Sequence, residues 1–200
     1  MRVKTEARRL AIMEAAETIF HRDGFERASM AQICAEVGFS KATLYSYYKS
    51  KDELFFDVML TAAQSEFSTI LENLKNSQDT TREALFNYSK QLLTFLYSPR
   101  IQAIRRLVAS EAGRSDLGRQ CFEQGPKQGL VEMAAFMQSQ IDAGKLKSGD
   151  PVLMGEQLRA LLEARWTERF LFQMLDNISE QEIEQSVEEA LDVFLAAYAI

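Results

Sequence analysis

Apolar residues recur at helical spacing from the start of the chain. Leu10, Met13, Ala16, Ile19 and Phe20, with Ile12 beside them, make a broad stripe between Thr5 and Arg22, which predicts an amphipathic helix. Asp23-Gly24 closes it, glycine supplying a left-handed cap. Ser29-Met30-Ala31-Gln32 has the spacing of a capping box and opens a short second helix that stops near Gly38. Two residues later Ser40 can cap a third helix, and Phe39 with Leu44 has the spacing of a hydrophobic staple that sets the angle between the two. Ser50-Lys51-Asp52-Glu53 is a further box, leading into a long helix striped by Leu54, Phe55, Val58, Met59 and Ala62 to about Lys75.

The same punctuation continues to the last residues. Asn76 to Thr80 reads as a loop, Thr80 to Glu83 starts a fifth helix, and Pro99 ends it near Ser98. Helices are expected over Arg100 to Ala112 and Asp116 to Gln124. Gly125-Pro126 opens another with Leu130, Met133, Ala134, Met137 and Ile141 on one face up to Gly144. Asp150-Pro151 opens one to about Leu175, and Ser179 to Glu182 caps the last. Nine or ten helices result, with no strand, internal repeat or low-complexity tract, so the fold class is all-α. With 46% hydrophobic residues in 200, the chain can build its core without metal or disulfide.

Charge changes the picture only once it is divided. The net charge is −6, yet residues 1 to 55 hold nine Lys plus Arg against eight Asp plus Glu, a balance of +1, so the other 145 residues carry −7. Cys34 and Cys121 lie far apart with neither CxxC spacing nor a histidine partner, which suggests no disulfide framework and no zinc site. With no secretory leader and no run of about eighteen apolar residues, a cytoplasmic protein without a membrane partner is expected. The single histidine, His21, has no catalytic partner nearby, and one histidine cannot supply the Glu-x-x-His pairs of a di-iron bundle. Hence no enzyme activity, catalytic residue, metal or cofactor is expected.

Helix two, the turn at Gly38 and helix three have the spacing of a helix-turn-helix, whose second helix projects its N-terminal face into a major groove. From Phe39 to Lys51 there is no carboxylate, while Lys41, Thr43, Tyr45, Ser46 and Tyr47 offer donors or groove-compatible groups. Ser40, Lys41 and Thr43 occupy the first turn, where free N–H groups and the helix dipole favour phosphate. Thr43 and Tyr45 can reach base edges, and Lys49 and Lys51 stand where a second strand's phosphates pass. The competing reading is an ordinary helical hairpin with a solvated lysine face, or an adaptor whose helix meets protein instead of DNA.

The run Gly24-Phe25-Glu26-Arg27-Ala28-Ser29-Met30-Ala31-Gln32-Ile33-Cys34-Ala35-Glu36-Val37-Gly38-Phe39-Ser40-Lys41-Ala42-Thr43-Leu44-Tyr45-Ser46-Tyr47-Tyr48-Lys49-Ser50-Lys51-Asp52-Glu53-Leu54 resembles the signature of TetR-family regulators. The resemblance implies that Ser40, Lys41, Ala42, Thr43, Tyr45, Ser46, Tyr47 and Lys51 meet an operator, that Ser29 caps helix two near a phosphate, and that Tyr48 packs inside. Ala42 departs from the glycine many relatives carry, which bears on operator sequence. Ile104 to Glu111, Phe122 to Pro126, Ala143 to Leu146 and Asp150-Pro151 resemble the C-terminal domain of AefR-type or AcrR-type repressors. That likeness implies a homodimer released from double-stranded operator DNA by a small-molecule effector. The implied domains are residues 1–55 for DNA and 56–200 for ligand and dimerisation.

In the second of these, aromatics and methionines suited to a hydrophobic pocket include Phe67, Phe86, Phe95, Tyr97, Phe122, Met133, Phe136, Met137, Trp166 and Phe170, against the plainer reading that they are core. Phe67, Phe95, Phe122, Met133, Met137, Trp166 and Phe170 are the candidate ligand contacts, Trp166 and Phe170 foremost. Arg165 and Arg169 can pair with Glu163 or Glu168, orient an acidic ligand, or stay solvated. Leu158, Leu161, Leu162, Val187, Leu191 and Phe194 on the last two helices have a pattern suited to packing against a second copy.

Overall fold

The computed structural model describes residues 5–111, 113, 116–175 and 178–200. Among them are eleven helices, α1 (Glu6–Arg27), α2 (Met30–Val37), α3 (Lys41–Tyr47), α4 (Lys51–Asn76), α5 (Thr81–Leu96), α6 (Pro99–Glu111), α7 (Leu117–Gln124), α8 (Pro126–Asp142), α9 (Pro151–Glu163), α10 (Thr167–Leu171) and α11 (Glu180–Tyr198). The described residues contain no strand, only an isolated antiparallel bridge between Leu146 and Ala199. None of the described helices is long and apolar enough to cross a membrane.

The chain divides into two compact units, one up to Ala63 and one from Gln64, with α4 contributing to both. In the first, Ile12, Ala16 and Ile19 of α1, Ile33 of α2, Leu44 of α3 and Leu54 of α4 are at most 1% exposed and form the core. Burying a side chain such as Leu44 completely stabilises the unit by roughly 1.5–3 kcal/mol. Phe20, Phe25 and Phe55 close one end, with ring centroids 4.6–6.0 Å apart. In the second unit α8 packs on α9, and α11 lies against both α5 and α9.

One expectation is refined and two need correction. The first helix does break at Gly24 as expected, but the range of α1 continues past the kink. There the backbone swings to φ 75°, ψ 160°, a conformation restricted to glycine, and one more helical turn follows to Arg27. The helix expected to run to Leu175 breaks after Glu163, so the count rises to eleven. The amides of Ala164 and Trp166 bond three residues back, to Leu161 and Glu163, and this tightened turn brings Trp166 and Phe170 into the interior at 2% and 6% exposure. The third concerns Leu158, Leu162, Val187, Leu191 and Phe194. All are at most 1% exposed within this one chain, because α9, α11 and α5 bury these faces in one another. Leu161 is half-buried. The expected end of helix six at Ala112 lies outside the described residues.

The caps follow the sequence closely. Thr80 with Glu83 and Ser179 with Glu182 form complete capping boxes. Ser29 accepts from the Gln32 amide, and the Gln32 side chain accepts from the Ser29 hydroxyl, not its backbone N–H, while donating to Asp23. Ser50 accepts from the Glu53 amide, and Glu53 then takes the Lys49 N–H at 2.7 Å.

Candidate functional site

Gly38, in the left-handed region at φ 72°, ends α2, and its N–H bonds back to Cys34. The chain then reverses through Phe39 into α3, whose cap Ser40 accepts from the Thr43 amide at 3.2 Å. The Cys34 thiol donates to the Phe39 carbonyl at 2.8 Å, pinning the turn between the two helices. Here the buried cysteine serves as a hydrogen-bond donor.

Periodicity sorts α3 into two faces. Leu44 and the following Tyr48 are buried, Thr43 and Tyr47 are half-buried, and Lys41, Ala42, Tyr45 and Ser46 point outward, Tyr45 being 50% exposed. The outward face thus carries an ammonium, a methyl, a phenol and a hydroxyl, with no carboxylate. Lys49 is exposed just past the helix. Other candidates have tasks inside the fold. Ser29 and Ser40 cap helices, and the Thr43 hydroxyl shares a 2.9 Å hydrogen bond with Ser40. The Tyr47 hydroxyl accepts from the Thr5 amide at 2.7 Å, and the Lys51 ammonium donates to the Phe25 carbonyl at 2.6 Å and lies 4.2 Å from the centre of the Phe25 ring.

A polar knot that sequence patterns did not reveal holds this unit together. Asp57 on α4 accepts from the buried Tyr48 hydroxyl and, at 2.5 Å, from Arg9 on α1. Burial, followed by Asp57, raises the Tyr48 pKa well above the phenolic range, so the hydroxyl remains a donor. Replacing Asp57 by Ala leaves that donor without its acceptor and is expected to cost about 2 kcal/mol. Urea unfolding checks this, and in the Tyr48→Phe background the same replacement should cost measurably less.

In the second unit a cavity of about 220 Å³ lies among α5, α8 and α9, lined by Tyr88, Leu92, Pro126, Gly129, Leu130, Met133, Gly155, Leu158, Arg159, Leu162 and Glu163. Glycine is needed at two of these positions. A Cβ on Gly129 would stand 2.7 Å from the Phe67 ring, and one on Gly155 would stand 2.9 Å from Met133. Of the aromatic and methionine candidates, Met133 lines the cavity. Phe67 backs it through Gly129 and stacks on Phe95 with centroids 5.6 Å apart. Phe122 is 47% exposed on α7, and Met137 is fully buried. Trp166 and Phe170 do not line the cavity; Phe170 lies against Arg105 and Trp166 against Tyr97.

That polar end centres on Glu163. Its carboxylate accepts from the Tyr97 hydroxyl at 2.9 Å, from Arg105 at 3.1 Å and from Arg159. Burial alone would push its pKa up, but Arg159 and Arg105 outweigh this and hold it below the ordinary 4.5. The Arg105 guanidinium lies 4.4 Å from the Phe170 ring centre and 5.3 Å from that of Tyr97. Arg165 instead pairs with Glu189, and Arg169 lies over the Trp166 ring. Sequence reasoning passed over Tyr88, Arg105 and Arg159, and it offered Glu163 to Arg165 or Arg169, whereas Glu163 pairs with Arg105 and Arg159. One signal was available, the i,i+4 spacing of Arg159 and Glu163.

A helix-turn-helix with a carboxylate-free outer face, and a helical unit holding a partly apolar cavity open to solvent, are the parts of a helix-turn-helix transcriptional regulator. Residues 12–58 match the model of bacterial regulatory proteins of the tetR family, and residues 83–200 match that of the AefR-like transcriptional repressor C-terminal domain. The chain belongs to the TetR family. It is 28% identical over 176 residues to an HTH-type transcriptional regulator of Staphylococcus aureus (strain bovine RF122 / ET3-1), covering 87% of this chain and 86% of that one. Its fold is similar to that of a TetR-family regulator from Mesorhizobium loti, with TM-score 0.76, 25% identity and both chains covered in full. The flavonoid-responsive regulator FrrA is another structural neighbour, with TM-score 0.65, 28% identity and 98% of each chain covered.

Proposed function

We propose that this regulator is a repressor that reads a palindromic operator as a homodimer and leaves it when a small apolar or amphipathic effector binds. The observation that carries the reading is the outward face of α3, where Lys41, Ala42, Tyr45 and Ser46 stand exposed without a carboxylate among them. Lys41 and Lys49 serve the phosphates, whereas Tyr45, Ser46 and Ala42 meet base edges and thymine methyls. Ser29, Ser40, Thr43, Tyr47 and Lys51 hold the backbone that approaches the duplex. DNA reading falls to residues 1–55, and ligand binding and dimerisation to residues 56–200.

A palindrome requires two readers. Val152 and Leu153 on α9 and Val193 on α11 remain 47–57% exposed on two helices that pack together, an apolar surface suited to a second copy. The name of FrrA supports a small-molecule effector, and the AefR-like match supports repression. Because α4 supplies residues to both units, it is the element through which an occupied cavity alters the readers. The effector must then bind the released state more tightly than the operator-bound one.

Selection of bound fragments from a random DNA library by the purified protein, followed by titration of the winner at two salt concentrations, tests this. The expected result is a palindrome bound tightly at low salt, with affinity falling steeply as salt rises. Recovery of nothing above background would favour an adaptor whose α3 meets protein.

A further inference from the structure

The walls of the α5–α8–α9 cavity are chemically divided. Leu92, Leu130, Met133 and Leu158 supply an apolar end, and Tyr88, Arg159 and Glu163 a polar one. At the polar end donors outnumber acceptors. Both Glu163 oxygens are engaged by Tyr97, Arg105 and Arg159. Tyr88, only 6% exposed, has no hydrogen-bond partner for its hydroxyl among the described residues, and Arg159 commits only its Nε. Behind Glu163, Arg105 Nη1 and Trp166 Nε1 are buried donors without partners. Two guanidiniums face one carboxylate, so the cluster carries a net positive charge. Burial pushes the Tyr88 pKa up to about 12, which keeps its hydroxyl a donor.

We infer that the effector is a small organic acid of single-ring size, its carboxylate received by the Tyr88 hydroxyl and the Arg159 guanidinium and its ring by Leu92, Leu130, Met133 and Leu158. This rests on the reading that the cavity is the effector site. The volume suits a single ring. An apolar cavity of about 150 Å³ holds benzene, so about 220 Å³ takes one ring with a carboxylate and a short substituent. Charge selects the acid over its neutral analogue, because a carboxylate offsets the cluster's net positive charge while accepting from Tyr88 and Arg159, whereas an amide brings no charge and places two further N–H groups among the donors. The Glu163 carboxylate does not repel the ligand strongly, since Arg105 and Arg159 already neutralise it.

Calorimetric titration of the purified full chain with 4-methylbenzoate and with 4-methylbenzamide tests the inference. The acid should bind at least about tenfold more tightly than the amide, and Tyr88→Phe should weaken the acid about tenfold, the usual worth of a hydrogen bond to a charged group, while leaving the amide unchanged. Tyr88→Phe removes a hydroxyl that bonds to nothing else described, so its folding is not at risk. Arg159→Gln provides the second variant and should weaken the acid further. Equal affinity for acid and amide, no binding of the acid, or an acid affinity indifferent to Tyr88→Phe would each overturn the inference. Operator release is measured separately on the same samples. Acid binding without release would remove the effector reading and leave the ligand class standing; release by the amide as readily as by the acid would do the reverse.

Discussion

Replacing Ala42 by Glu is expected to lower affinity for the selected operator on the order of 100-fold, the effect of setting a like charge against a phosphate-lined groove. The position suits the test because Ala42 is exposed on the outer face of α3, adjoining Lys41 and one turn from Tyr45 and Ser46. No internal contact is removed, so the thermal midpoint should stay within a degree or two of the parent, as for most surface changes. Ala42→Gln, equal in size and uncharged, should lose far less. Electrophoretic mobility shift with the selected palindrome, alongside thermal unfolding of the three proteins, separates charge from bulk. If Ala42→Glu bound the operator as the parent does, α3 would not be the reading helix. If it unfolded, the face assigned to solvent would be misplaced.

The second large effect is expected at Glu163. Replacing it by Ala should destabilise the protein by about 2–3 kcal/mol, because Arg105 and Arg159, at 26% and 34% side-chain exposure, lose the counter-charge that justified their partial burial. Complete burial would cost more; solvent around Arg159 screens part of the loss. Glu163→Gln keeps an acceptor for Tyr97 and should fall between. The pH dependence has a defined sign. Arg159 and Arg105 lower the folded pKa of Glu163 against the opposing effect of burial, so its stabilisation is fully present above the unfolded value near 4.5 and is lost as pH falls through the lower folded value. The stability gap between parent and Glu163→Ala should therefore hold constant from neutrality to about pH 5 and narrow below 4. Chemical denaturation at a series of pH values checks this, and a gap independent of pH would mean that Glu163 acts by packing alone.

Legibility in the sequence followed the range of the interaction. Ser40 with Thr43, Thr80 with Glu83 and Ser179 with Glu182 are three residues apart, and each cap stands where its spacing predicts. Gly38 and the stapled turn were equally local, and the face of α3 bearing Lys41, Ala42, Tyr45 and Ser46 follows from helical period once Leu44 is recognised as the inward residue. The break at Glu163 was not legible, since apolar residues continue through Trp166 and Phe170 as if in one helix. Only the turn that buries both rings distinguishes the two.

The sequence by itself determined the all-α class, most helix starts, the helix-turn-helix and its carboxylate-free surface, because caps, periodicity and charge runs are properties of neighbouring residues. Tertiary structure alone decided which apolar stripes are spent inside the chain. Leu158, Val187 and Phe194 are consumed by the packing of α9 and α11, whereas Val152, Leu153 and Val193 are left outside. It also decided where the cavity lies and what stands at its polar end, since Glu163 meets Arg105 across 58 positions and Tyr97 across 66. No local pattern records such a meeting; the folded path of the chain brings these groups together, and their burial turns the contact into a constraint on charge.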